Sequence, residues 1–191
     1  LLREGSEPVE VQAIHIAPTT EYSCVDSSIA ALNQYSWVVF TSVNGVEIFF
    51  HRMKDLGMDA RALGGVKVAA VGSSTAEALG QQGITPDLAP QMYQAQTIVD
   101  GLRHLGLEGS RILLPCAKIG GADLAQGLER LGAKVDKLSL YDTWIPESSR
   151  EQAVEALQSG TINVVTFTSS STVRNLVALL DGRIELLGNL V

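Results

Sequence analysis

Only two cysteines occur in 191 residues, and Cys24 and Cys116 stand far apart with no CxxC spacing. A disulfide framework or a thiolate metal cluster needs more thiols at shorter intervals, so reduced thiols in a cytosolic setting are expected. Histidine is almost as scarce: His15, His51 and His104 are scattered without ligand spacing, and no metal is expected. Basic residues number 14 against 21 acidic ones, for a formal charge of −7. Nonspecific affinity for a phosphate backbone comes from clustered Lys and Arg, so DNA and RNA are excluded as partners. The same deficit means that a polyanionic ligand must be held by local donors and not by the field of the whole protein. No apolar run approaches the roughly 18 residues needed to cross a bilayer, and residues 1–20 lack the basic-then-apolar layout of a secretory signal. These absences point to a cytoplasmic protein with no membrane partner. There is no G-x-S-x-G elbow, and the glycine pair Gly120-Gly121 is not followed by the Gly-Lys-Ser/Thr of a phosphate-binding loop.

What is present begins with a hydrophobic share of 46% against 18% charged residues, enough apolar surface for one large or two small cores. The stretch Val38-Val39-Phe40-Thr41-Ser42-Val43-Asn44-Gly45-Val46 returns in altered form as Val165-Thr166-Phe167-Thr168-Ser169-Ser170-Ser171-Thr172-Val173. Each copy is a β-branched apolar run ending in hydroxyl residues. Each is followed by apolar positions at helical spacing: Val46, Phe49, Phe50 and Met53 in the first, Val173, Leu176, Val177 and Leu180 in the second. That pattern is a buried parallel strand entering the N-terminus of an amphipathic helix. At the same offset, Arg3-Glu4-Gly5 faces Arg130-Leu131-Gly132, and Val11-Gln12-Ala13-Ile14 faces Leu138-Ser139-Leu140-Tyr141. The chain therefore reads as a duplicated α/β unit. Twins of the segments 66–72 and 111–115 would fall outside the sequence, and the expectation is a chain cut at both ends with one unit incomplete.

After a helix remnant and a strand at 9–16, the pattern predicts strands at 37–41, 66–71, 86–89, 111–115 and 134–141, and helices at 44–56, 74–82, 94–105 and 121–131. Strict alternation of apolar strands with short helices predicts parallel sheets covered on both faces, in doubly wound, flavodoxin-like units. Gly57, Gly83, Gly106 and Gly132 each follow a periodic run, as left-handed helix ends do. From Pro146 a new unit begins, with a helix at 149–158, a strand at 164–167 and a helix running to Leu180. The expected organisation is two flavodoxin-like domains. One is discontinuous, from 1–16 and 146–191; the other is continuous, at 19–139; linkers lie near 14–18 and 140–146.

In such sheets, ligands sit beyond the carboxyl ends of the strands, where loops feed helix N-termini with unpaired N–H groups. Three loops answer that description: Thr41-Ser42-Val43-Asn44-Gly45, Gly72-Ser73-Ser74-Thr75-Ala76, and Thr168-Ser169-Ser170-Ser171-Thr172. Backbone N–H and hydroxyl donors there suit carboxylates or phosphates. The same residues are also ordinary helix N-caps, worth about 1 kcal/mol each. Both readings stand at this point.

The run at 37–46, the run at 68–79 followed by Gly83-Ile84-Thr85-Pro86-Asp87, and Leu138-Ser139-Leu140-Tyr141-Asp142-Thr143 together resemble the uroporphyrinogen-III synthase family, in order and across nearly the entire chain. The resemblance implies a bilobed α/β enzyme, a monomer without a cofactor. It would take a small-molecule substrate, hydroxymethylbilane, remove its terminal hydroxyl as water, invert ring D through a spirocyclic pyrrolenine and close the macrocycle to uroporphyrinogen III. It further implies that Thr41, Ser42, Asn44, Gly45, Ser73, Ser74, Thr75, Ser169, Ser170 and Ser171 hold the substrate, and that Tyr141 assists departure of the hydroxyl. The family pattern often carries an arginine where Asn44 stands. On physics alone, a two-lobed, non-catalytic protein that closes on a small anion is the competing alternative. For residues 1–191 alone, reduced or absent activity is expected.

Overall fold

An apolar strand that is buried at every position, and not at every second one, belongs in the middle of a parallel sheet with both faces covered. Trp37–Phe40 is such a strand, buried at all four positions. The computed structural model describes residues 5, 7–90, 95–167, 170–188 and 190. Its elements run β1 (His15–Pro18), α1 (Ser23–Ala30), β2 (Trp37–Phe40), α2 (Val43–Asp55), β3 (Lys67–Ala70), α3 (Ser73–Gln81), α4 (Ala95–Arg103), β4 (Arg111–Ala117), α5 (Ala122–Glu129), β5 (Lys134–Trp144), α6 (Glu147–Gln158) and α7 (Ser170–Leu179). The chain packs as two compact units, one of Ala17–Asp142 and one of Leu1–Ile16 with Thr143–Val191.

In the first unit, β2 pairs in parallel with β3 on one side and with β4 on the other, and β4 pairs in parallel with β5. Side chains of β2 alternate between faces. Phe40 meets Phe49 of α2 edge to face at 5.4 Å, while Trp37 and Val39 join Ile98 and Leu102 of α4 and Leu128 of α5 in a second layer. Helices α4 and α5 come so close that a Cβ on Gly127 would lie 2.7 Å from Val99 Cγ2. Because valine is stiff at χ1, it cannot easily yield. Gly127→Val is therefore expected to destabilise the fold by about 1–3 kcal/mol, read as a lower denaturant midpoint with an unchanged slope.

Gly57, Gly83, Gly106 and Gly132 take φ of 72°, 79°, 66° and 86°, the left-handed conformation that ends a helix without steric cost. Helix α1 was not foreseen. Its buried side is narrow, only Val25 and Ile29, and Ser27 and Ser28 break the apolar pattern. The strand expected at 86–89 reduces to a single bridge between Ala69 and Leu88. Pro86 and Pro90 bracket it, and proline cannot donate to a ladder.

The larger correction concerns the second sheet. Among the described residues there is one five-stranded sheet, in the order β1-β5-β4-β2-β3. Neither 7–14 nor 161–167 forms a strand, and Val164 and Phe167 are 58% and 42% exposed. β propensity is a fit to a paired, half-buried surface, so apolar, β-branched residues without a ladder partner do not make a strand. The second unit is held instead by α6 and α7, through Ala153, Leu176 and Leu180, with Val11, Val165 and Leu187 packed against them. A cavity of about 880 Å³, lined by Val9, Val11, Val164, Val165 and Phe167 among others, lies within this unit.

Candidate functional site

Chain order in the first unit reverses at β2, since the next strand, β3, lies on one side of it and β4 on the other. The crevice beyond the carboxyl ends of strands at such a switch point is where open α/β sheets bind ligands. Thr41 and Ser42 follow β2 there. Ser42 has extended backbone (φ −158°, ψ 156°) and caps α2, its Oγ accepting from the Gly45 backbone N–H at 3.0 Å. Gly45 is small for a reason: a Cβ would stand 3.2 Å from Ser42 Oγ and 3.5 Å from the Pro115 carbonyl oxygen. The start of α2 is thus pressed against the end of β4. Asn44, in the first turn, is partly exposed.

Tyr141 arrives from β5. The ladder pairs Cys116 with Ser139 but Ala117 with Tyr141, so Leu140 is an extra residue on β5. Such a bulge bends the strand and re-aims the side chain that follows. Leu140 is nonetheless engaged, its carbonyl accepting from Thr19 N–H at 2.8 Å, and Tyr141 C=O accepts from Lys118 N–H at 2.8 Å. The result is a hydrogen bond of 2.9 Å between Tyr141 OH and Ser42 Oγ, with Tyr141 only 7% exposed. Residues from β2, α2 and β5 therefore meet at one point.

The second hydroxyl loop is built differently. Gly72, at φ 88° and ψ 161°, holds the cap position of α3 and has no side chain to offer it. That conformation is open to glycine almost alone. Ser73 and Ser74 are exposed, and Thr75 is buried at 4% exposure. Simple capping therefore accounts for Ser42 but not for Ser73, Ser74 or Thr75. In the third loop, Ser169 lies outside the described residues, as do the side chains of Ser170 and Ser171, whose backbone opens α7.

Sequence reasoning weighs the loop between β4 and α5 only as a phosphate-binding turn and assigns its lysine no role. Lys118 Nζ lies 3.7 Å from Asp142 Oδ2 beside Tyr141, placing a cation among loops otherwise furnished with neutral donors. No local sequence pattern marks it: Lys118 follows the β4 residue paired with Tyr141, a register that the sheet alone sets. Gly121 is left-handed at φ 75°, and a Cβ on it would meet Cys116 Sγ at 3.1 Å. Burial pushes the Cys116 thiol up from its ordinary value, and Lys137 pulls it back by less. Cys116 is 1% exposed whereas Cys24 is exposed. One thiol, Cys24, is expected to react with a thiol-specific reagent at neutral pH in the folded protein, and two after denaturation; the count of modified thiols checks this. Among the described residues, no group of three or more His, Cys, Asp and Glu is placed to hold a metal ion.

The model of the uroporphyrinogen-III synthase HemD family matches residues 1–190. The chain belongs to that family. It is 30% identical over 174 residues to the porphyrin biosynthesis protein HemD of Ruminiclostridium josui, covering 91% of this chain and 34% of that protein. It is also 30% identical over 179 residues to the uroporphyrinogen-III synthase of Synechococcus elongatus, covering 92% of this chain and 66% of that one. The chain thus spans between a third and two thirds of the length of these relatives. A crystal structure of a mutant uroporphyrinogen III synthase from Thermus thermophilus superposes with a TM-score of 0.73 at 21% identity, covering 97% of this chain and 74% of that one. The synthetase of Helicobacter pylori gives 0.56 at 16% identity, covering 87% and 70%. These likenesses show that the synthase family's α/β fold is shared here.

Proposed function

We propose that the protein carrying this chain is a uroporphyrinogen-III synthase, a cyclising hydro-lyase that converts hydroxymethylbilane to uroporphyrinogen III without a cofactor. The observation that carries this reading, beside family membership, is the Tyr141–Ser42 pair at the switch point of the sheet. Tyr141 donates its phenolic proton to the departing hydroxyl, which leaves as water. The resulting azafulvene is attacked by the substituted carbon of ring D, giving the spirocyclic pyrrolenine. Fragmentation and reclosure then give the type III ring, and the proton shed from the pyrrole carbon on closure restores the phenol.

Much of this reactivity is intrinsic to the substrate, so the protein's work is to hold one bent pose in which spiro closure outruns head-to-tail closure. The carboxylates of the substrate are held by the Thr41 hydroxyl, by Asn44 and the N–H groups at the start of α2, by donors of 73–75 and, by the repeat, by donors of 169–171. Neutral donors of this kind suit a protein with a net charge of −7, which repels an anion at long range. The repeat also supports two domains, one from 1–16 and 146–191 and one, flavodoxin-like, from 19–139, with linkers near 14–18 and 140–146. We place the protein in the cytoplasm as a monomer; among the described residues no helix is long and apolar enough to cross a membrane.

The test is to supply freshly generated hydroxymethylbilane to the full-length protein and to separate the products by isomer. Type III should form faster than the uncatalysed type I ring. A product containing only type I overturns the reading.

A further inference from the structure

We infer that Ser42 serves the reaction through Tyr141, as the residue that sets where the phenolic proton points, and not as a holder of a substrate carboxylate. The inference rests on the synthase reading and adds a division of labour within the site.

A serine hydroxyl has one proton and two lone pairs. One lone pair of Ser42 Oγ is taken by the Gly45 N–H at 3.0 Å, and the Tyr141 oxygen lies 2.9 Å away. That leaves two arrangements for the second bond: Ser42 donates to the phenol, or the phenol donates to Ser42. Donation by Gly45, at the positive end of α2, polarises the Ser42 hydroxyl and strengthens it as a donor toward the phenol. Among the described residues, Ser42 is the one hydrogen-bond partner of the Tyr141 hydroxyl. With Ser42 donating, the Tyr141 proton is directed away from Ser42 and stays available to the leaving hydroxyl. When that proton departs, the phenolate left behind already has a hydrogen-bond donor in place, so no group needs to reorient. With the phenol donating, the proton the chemistry needs is spent on Ser42.

The packing around the pair fits this role. A side chain at position 45 would crowd Ser42 Oγ at 3.2 Å, so glycine there keeps open the space the hydroxyl occupies beside α2. The extra residue Leu140 on β5 brings Tyr141 opposite Ala117, one position earlier than an unbroken ladder would. A serine committed to a helix cap on one side and to a phenol on the other has no donor left for a carboxylate.

Four variants of the full-length enzyme test the inference: Ser42→Ala, Ser42→Thr, Tyr141→Phe and the double substitution Ser42→Ala with Tyr141→Phe, each checked for folding by circular dichroism. Ser42→Ala should lower kcat for type III formation about 10- to 100-fold with KM within about twofold of the parent. Ser42→Thr, which keeps both the cap and the donor, should recover most of the rate. In the Tyr141→Phe background, Ser42→Ala should add no further loss, because the group it acts through is gone. A raised KM with kcat preserved, or losses that multiply in the double variant, overturns the inference and leaves the synthase reading standing. Undiminished turnover in Tyr141→Phe instead removes Tyr141 from the chemistry, and a parent enzyme that yields only the type I ring removes the reading itself.

Discussion

Tyr141→Phe is expected to lower kcat for uroporphyrinogen III formation by about 10²- to 10⁴-fold, the range that a single positioned proton donor contributes. Phenylalanine preserves the ring, and with it the packing of a residue that is only 7% exposed, while removing the one atom that reaches Ser42. The structural cost is therefore small, about 1 kcal/mol for the lost hydrogen bond, and Ser42 keeps its bond to Gly45 N–H. Under the proposed mechanism binding should be nearly unchanged, because there the phenol acts on an oxygen that is leaving and not on one that anchors the substrate. The measurement is a single-turnover rate with substrate in excess over Kd, alongside an affinity determination, so that chemistry and binding are separated. Residual turnover in the variant should still favour the type III isomer, since in that mechanism the bent pose is imposed by loops that the substitution does not touch. A variant with parental kcat would show that the hydroxyl departs unaided.

The alternation of strands and helices was legible because it is written in local patterns. The run 37–40 is apolar throughout, and β2 lies buried on both faces; Val46, Phe49, Phe50 and Met53 keep helical spacing, and all four are buried in α2. Whatever depended on partners far along the chain was not legible. The run 164–167 carries the same local signal as 37–40, yet it forms no strand, since a ladder requires a neighbour and not merely propensity. The site divides in the same way. Ser42 as an N-cap follows from a hydroxyl at the end of a strand, three residues before a free N–H. That its second bond goes to Tyr141 depends on the β4–β5 register and on one extra residue at Leu140, and neither is visible in the spacing of two side chains 99 positions apart. The resemblance to the family pointed to Tyr141 and Ser42 separately; only the register joins them.

Phe49→Ala is expected to cost about 3–5 kcal/mol of folding stability, the range for emptying a core aromatic position. Phe49 is 0% exposed and forms the middle of a cluster, edge to face with Phe40 at 5.4 Å and with Phe50 at 5.9 Å. Alanine removes the ring from between β2 and α2, and the neighbours cannot close the gap without shifting one element along the other. Urea titration followed by tryptophan fluorescence suits the measurement, because Trp37, at 4% exposure, belongs to the same strand as Phe40. The midpoint should fall with little change in slope. The consequence for function follows from chain order. Phe40 immediately precedes Thr41 and Ser42, and Phe49 lies on the helix that Ser42 caps, so the ring fixes both ends of the turn that presents Ser42 to Tyr141. At a temperature where Phe49→Ala remains folded, kcat should therefore fall by more than the unfolded fraction accounts for. A loss of stability with kcat per folded molecule unchanged would show that the turn is held by Gly45 and Pro115 alone.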